Sequence, residues 1–354
     1  MMAVKITGVG CYIPEIVRKN EDFLNHKFYT ETGEGYDDHP EVIIKKFQHI
    51  TGIKERRYVS EELNVSDIAT IAAQSAIKDA EIDPETLDYI IVAHNFGDVK
   101  HGTTQTDILP SIGSRVKHFL KIKNPKTVAY DIIFGCPGWL EGSIQAKAFI
   151  ESGIAKRCLV IGAETLSRVV DAHDRDSMIY SDGAGATIFE KSDDENTGVL
   201  SHESATFTEN ESHFIFFGET NKANVSDTTG YIKMYGRKIY NFALSNVPKA
   251  MKSCFDQSGK DIRQLKKIFI HQANEKMDEA IVQRFYKLYE MEMPEQVMPM
   301  SIDKLGNSSV ATIPTLYDLF LKGHFEDQTL DKGDVIMFAS VGAGMNINAM
   351  TYQI

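Results

Sequence analysis

Two stretches of this chain repeat one another. "DPETLDYIIVAHN", from Asp83, and "DIRQLKKIFIHQA", from Asp261, each open on aspartate, place leucine four residues later and run into an apolar strand. The second begins 178 residues after the first, about half of the 354-residue chain, and each follows a helix-like segment of similar length. Internal similarity at that spacing predicts two related halves, 1–194 and 195–354, joined after "GAGATIFEKSDDEN". Within them "LDYIIVAHN", "RCLVIGAE" and "LKKIFIHQAN" carry apolar runs of four or five residues, separated by amphipathic segments such as "SDIATIAAQSAIKDA". Strands of that kind are buried on both faces, which predicts an α/β class with a largely parallel sheet. A polar stretch at 26–41, "HKFYTETGEGYDDHPE", interrupts the first half and is placed to line an entrance.

Bulk properties exclude several function classes. A hydrophobic content of 42% allows a large core. No apolar run approaches the ~18 residues a membrane span needs, and "MMAVKITGVGCYIP" lacks the basic-then-apolar order of a signal peptide, so a cytoplasmic protein with no membrane partner is expected. The net charge of −12 argues against nucleic acid, whose phosphates require a basic face. Cys11, Cys136, Cys158 and Cys254 are widely spaced, with no CxxC pair and no Cys/His pattern suited to zinc, so neither a disulfide framework nor a metal site is expected.

One cysteine stands apart. In "TVAYDIIFGCPGWLEGSIQ", Cys136 sits between the end of an apolar strand and the start of a helix. Ligands of open α/β sheets bind beyond the carboxyl ends of strands. Pro137 suits the first helical position, which would make Cys136 the N-cap, its sulfur near a partial positive charge that favours thiolate. Gly135 and Gly138 give room for a sharp turn and a close substrate. The other three cysteines read as inert thiols, Cys158 inside a strand and Cys254 on a helix face. A nucleophilic cysteine needs a partner. His271 follows an apolar strand in "KIFIHQANEKM", and Asn307 in "DKLGNSSVATIP" offers a third strand-end position. Related halves would bring Cys136 and His271 to one crevice from opposite sides.

"GCPGW", "HQAN", "GNSS" and "SVGAGM", in this order and at these separations, resemble the β-ketoacyl-acyl-carrier-protein synthase III group of the thiolase superfamily. The likeness spans nearly the whole chain, taking in "VKITGVGCYIPE", "TGIKERRYVSEE" and "YSDGAGATIFE". It implies a five-layered αβαβα thiolase-like fold, a homodimer, and a Cys136-His271-Asn307 triad. It further implies acyl transfer to Cys136 and a decarboxylating Claisen condensation with malonyl (or β-ketoacyl) units on acyl carrier protein. That would serve fatty-acid or related lipid or polyketide synthesis, with thioester substrates and no cofactor or metal. The backbone N–H of Cys136 and one from Gly342-Ala343-Gly344 would form the oxyanion hole. "SDGAGA" (181–186) resembles the family's glycine-rich turn, packed beside the nucleophile helix, with Asp182 architectural; no Lys-Ser/Thr follows, as a P-loop requires. "GAGMN" lies too near the end of the sequence, with no helix and acid after it, for a dinucleotide site.

The chain also departs from that pattern. Before "TGI", Lys46 and Ile50 stand where relatives that take primer from coenzyme A carry tryptophan and arginine, although Arg175 matches another coenzyme-mouth arginine. A primer already on carrier protein is therefore an alternative. Leu109 replaces a phenylalanine that reaches across the dimer to close the acyl tunnel, and Pro137 and Trp139 differ around the cysteine. Leu109, Trp139 and Arg175 are read as substrate-binding on this resemblance, and such features also resemble dialkylresorcinol-type enzymes that join two carrier-bound chains. For the acidic carrier, Lys276 matches a basic family position; Arg237, Lys238, Lys249, Lys252, Arg263, Lys266 and Lys267 cluster nearby in sequence. Papain-like hydrolases share Cys-His-Asn but not the repeat, thiolases proper want a second cysteine that "ASVGAGMNI" lacks, and a non-catalytic heterodimer partner would not need the full triad.

Overall fold

The structure, a computed structural model, describes residues 3–194, 197–225 and 228–354. The first half runs β1 (Ala3–Tyr12), an antiparallel pair β2 (Ile16–Lys19) and β3 (Glu55–Tyr58) flanking α1 (Pro40–Thr51), then α2 (Val65–Asp79) and β4 (Tyr89–Ala93). It continues through a short pair, β5 (Asp98–Val99) and β6 (Thr106–Asp107), then α3 (Ile112–Phe119), β7 (Val128–Ile132), α4 (Gly138–Glu151), β8 (Arg157–Thr165) and β9 (Asp182–Ser192). The second half runs β10 (Gly198–Thr206), a hairpin of β11 (Ile215–Gly218) and β12 (Tyr231–Met234), α5 (Gly236–Gln257), β13 (Leu265–Ile270), α6 (Glu275–Lys287), a one-turn α7 (Ile302–Leu305), α8 (Thr312–Leu321), β14 (Val335–Gly342) and β15 (Asn346–Gln353). The expected join between 194 and 195 falls at Glu195 and Asn196, outside the described residues.

The repeat has a local cause. Asp83 and Asp261 each cap a 3-10 turn, accepting from the backbone N–H of Glu85 and of Arg263, and the leucine four residues on is buried, Leu87 two residues before β4 and Leu265 as the first residue of β13. The preceding helices are less alike than expected, α2 having 15 residues and α5 22. The sheets match in detail. The first has the order β1-β9-β8-β4-β7 and the second β10-β15-β14-β13. In both, the first two pairings are antiparallel and the third parallel.

Helices α2 and α3 cover the outer face of the first sheet, α5 and α6 that of the second, and α4 and α8 lie between the sheets, giving the expected αβαβα sandwich. Trp139 and Leu140 of α4, Leu316 and Phe320 of α8, and Phe269 and Phe338 of the second sheet share the middle core. "SDGAGA" is not a turn: from Asp182 it opens β9, paired with β8 throughout and with β1 from Ala184. The helix it makes room for is α8 rather than α4, since a Cβ on Gly185 would lie 2.7 Å from the Pro314 side chain. Asp182 is architectural, its buried carboxylate accepting from Val59 N–H (2.9 Å) and from the Ser167 N–H and hydroxyl (2.8 and 2.7 Å).

Candidate active site

The corner between β7 and α4 is fixed by Gly135, which takes φ +66; a Cβ there would sit 2.6 Å from the Ala343 nitrogen. Pro137, not Cys136, is the cap of α4, so the cysteine stands one residue outside the helix. The thiol is also not lowered as expected. Desolvation pushes it up to about 11, with the hydrogen bond from the Ser309 hydroxyl (3.3 Å to Sγ) acting the other way and Glu164 adding to the rise. In a dry pocket the cost of charging sulfur outweighs a helix end one residue further off.

His271 follows β13, its N–H donating to Ala339 C=O of the neighbouring strand (2.8 Å). Burial lowers its pKa to about 4, which keeps the ring neutral, and Nδ1 has no partner among the described residues. Asn307 does not end a strand. It follows α7 and Gly306, held by a bridge in which its N–H donates to Ile179 C=O (3.0 Å) and its C=O accepts from Ser181 N–H (2.8 Å). Its side-chain Oδ1 accepts from the Ser309 N–H (2.7 Å), which leaves the amide NH2 as the side chain's donor for a ligand.

Cys136, His271 and Asn307, brought from three connections in the two halves, line one cavity of about 150 Å3, walled by apolar groups including Phe96, Leu166, Phe217 and Val341. Gly342 and Ala343 line it too; a Cβ on Gly342 would stand 2.4 Å from the Cys136 nitrogen, so the two backbones touch. Gly344 is the turn behind them, at φ +75. A second cavity of about 310 Å3 shares Met234, Ile239, Ala273, Met277 and Asn307 with the first and opens outward past Phe47, Ile50, Arg175, Arg237 and Tyr240. Together they form a mouth leading to the thiol. Ile50 lines that mouth, whereas Lys46 pairs with Asp38 (2.7 Å). The polar stretch reaches the mouth through Tyr36, whose ring lies 5.7 Å from the Arg175 guanidinium; its last two residues begin α1.

Other candidates lie elsewhere. Trp139 is not a substrate contact: it is 1% exposed in the middle core, edge-on to Phe338 (5.6 Å) and donating to the Thr187 hydroxyl (3.2 Å). The helix phase turns it toward the sheets once Cys136 faces the cavity. Leu109 is 86% exposed and lines no part of its own chain's cavity. Lys267 is buried, donating to Gln296 C=O and Gln328 Oε1, and leaves the basic cluster. Arg237, Lys238 and Lys276 are exposed, with Lys276 Nζ 3.0 Å from His49 Nε2. Sequence reasoning missed Ser309, Asn95, Glu164 and the β11–β12 hairpin that brings Phe216 and Phe217 over the cavity. Asn95 at a strand end and Glu164 in an otherwise apolar run were the available signals.

A two-half αβαβα sandwich with cysteine from one half facing histidine and asparagine from the other defines a condensing enzyme of thiolase fold. Family models for 3-oxoacyl-acyl-carrier-protein (ACP) synthase III and for its C-terminal part match residues 130–206 and 255–354. The β-ketoacyl-acyl-carrier-protein synthases III of Aquifex aeolicus and Staphylococcus haemolyticus are each 30% identical, over 350 and 353 residues, covering 99% of this chain and 99% of each relative. The crystal structure of the Aquifex enzyme superposes with TM-score 0.80 at 29% identity, covering 99% of this chain and 100% of that one. OleA from Xanthomonas campestris shares the fold at TM-score 0.78 and 18% identity, covering 100% and 98%. This chain belongs to the β-ketoacyl-acyl-carrier-protein synthase III family. Among the described residues no helix is long and apolar enough to cross a membrane, and no group of three or more His, Cys, Asp or Glu is placed to hold a metal ion.

Proposed function

We propose that this chain moves an acyl group from a thioester onto Cys136 and condenses it with malonyl carried on acyl carrier protein, releasing carbon dioxide and a β-ketoacyl thioester. The observation that carries the proposal is the single apolar cavity at which Cys136, His271 and Asn307 meet. In the first step Sγ attacks the thioester carbonyl, the carrier thiol leaves with the cysteine proton, and the oxyanion is held by the N–H of Cys136 and one from Gly342 or Ala343. In the second, the malonyl carboxylate leaves as carbon dioxide, and the enolate oxygen accepts hydrogen bonds from neutral His271 and the Asn307 amide. Its carbon attacks the acyl carbonyl and expels Sγ. A neutral imidazole suits this task because it donates a hydrogen bond without needing a charge in a dry site.

The halves 1–194 and 195–354 act as one catalytic unit, since neither holds the triad alone. The acidic carrier docks on the rim formed by Arg237, Lys238 and Lys276, and its phosphopantetheine arm enters past Arg175. Lys46 and Ile50 stand where the resemblance expects the tryptophan and arginine that clamp coenzyme A, and the absence of that half of the clamp favours carrier protein over coenzyme A as primer donor. The working form is a homodimer in which Leu109 enters the neighbouring chain's pocket; light scattering gives its mass. Intact-protein mass spectrometry tests the central claim. Wild type, incubated separately with acetyl-coenzyme A, octanoyl-coenzyme A and octanoyl carrier protein, gains an acyl mass that Cys136→Ala does not. Failure of all three donors sinks the proposal.

A further inference from the structure

A line of hydrogen bonds runs from the interior of the first sheet to the Cys136 sulfur. Glu164, in β8 and fully buried, accepts through Oε1 from both the backbone N–H and the side-chain Nδ2 of Asn95, the latter at 2.8 Å. The other Nδ2 proton of Asn95 points to the Ser309 hydroxyl oxygen (3.3 Å), and Ser309 Oγ lies 3.3 Å from Sγ. The direction of each bond is set by the one before it. The Asn95 backbone N–H can only donate, so Glu164 Oε1 is an acceptor and takes Nδ2 as the near atom of the amide; the amide nitrogen only donates, so it occupies the accepting side of the Ser309 hydroxyl. That leaves the hydroxyl proton for sulfur. Ser309 itself sits at φ +53, a left-handed conformation that a non-glycine residue keeps only when its surroundings enforce it. The bond from its N–H to Asn307 Oδ1 is part of that enforcement.

We propose that Asn95 and Glu164 are positioning residues for Cys136, acting through Ser309 so that its hydroxyl donates to the sulfur and stabilises the thiolate as it forms. The proposal rests on the reading of Cys136 as the nucleophile, and it adds two residues from β8 and the β4 end that the triad does not contain. Few ionisable groups face this line: His94 and Asp182 around Glu164, and Glu164, Tyr180 and, across the cavity, His271 around Cys136.

The test is the pH dependence of Cys136 alkylation by iodoacetamide in the full chain, read by peptide mass spectrometry. Ser309→Ala is expected to move the midpoint up by about one to two pH units, the size of one hydrogen bond to a charged group. Asn95→Ala moves it the same way by less, and the double variant no further than Ser309→Ala alone, because the residues act in series. Glu164→Gln and Glu164→Leu remove the same charge, so the difference between them reads the hydrogen bond alone. The midpoint in Glu164→Leu is expected above that in Glu164→Gln. An unmoved midpoint in folded Asn95→Ala, or additive shifts in the double variant, would overturn the proposal. A wild type that alkylates as expected but accepts no acyl donor would instead count against the nucleophile reading.

Discussion

Gly342→Ala tests the oxyanion hole with a single methyl group. The backbone there is extended, at φ −163 and ψ −165, which alanine adopts freely, so the change carries no conformational strain of its own. The new Cβ, however, would lie 2.4 Å from the Cys136 nitrogen, 2.7 Å from Pro137 Cδ and 3.0 Å from Cys136 Cβ. The first is backbone, the second a ring locked to it and the third a Cβ bonded directly to Cα, so none can swing aside as the end of a flexible side chain would. The Cys136 N–H must move by several tenths of an ångström, away from the point where a carbonyl oxygen would collect its charge. Loss of one such donor costs about 3 kcal/mol of transition-state stabilisation, a fall of 10²–10³ in the acylation rate. The assay is rapid-quench mass spectrometry of Cys136 acylation, with circular dichroism to show that the variant is folded. A folded variant that acylates at the wild-type rate would refute the assignment of that N–H to the reaction.

Four further outcomes are expected. Malonyl decarboxylation by a Cys136→Ala variant stays flat from pH 5.5 to 8, because a His271 pKa lowered to about 4 keeps the ring neutral throughout; an acid limb near 6.5, the ordinary histidine value, would contradict it. The same lowering has a stability sign: between about pH 6.5 and 4 the unfolded chain binds the His271 proton and the folded one does not, so His271 makes stability fall as pH falls through that window, measurable by urea unfolding of wild type against His271→Gln. Trp139→Ala lowers unfolding free energy by about 3–5 kcal/mol, whereas Trp139→Phe leaves acyl-chain preference unchanged; a change in preference there would restore Trp139 as a substrate contact. Phe217→Ala widens the cavity where the β11–β12 hairpin and Phe96 (5.6 Å between centroids) close it, and the acyl length giving the highest rate rises by two or more carbons, as scored by competition among acyl donors; an unchanged preference removes the hairpin from primer selection.

Much of the fold was legible because it rests on patterns that are local in sequence. Short apolar runs of four or five residues, alternating with amphipathic helices, fit strands buried on both faces, and the Asp-to-Leu spacing repeats because an aspartate cap and a buried leucine precede the cores of β4 and β13 alike. Cys136 was readable from its own corner, whereas His271 and Asn307 stood out only together with it and with the family resemblance that joins the three. The sequence by itself therefore determined the two-half α/β architecture and the residue types at the site. Only the tertiary structure decided what surrounds them. The ionisation of Cys136 and His271 depends on how completely the neighbouring elements exclude water, and the apolar cavity reverses the thiolate expectation drawn from the helix start. Trp139 and Lys267 went to the core because helix phase and strand pairing, which depend on the partner sheet, set which way a side chain faces. Ser309 touches the sulfur across 173 residues of chain, a contact made only when the two sheets close on α4 and α8.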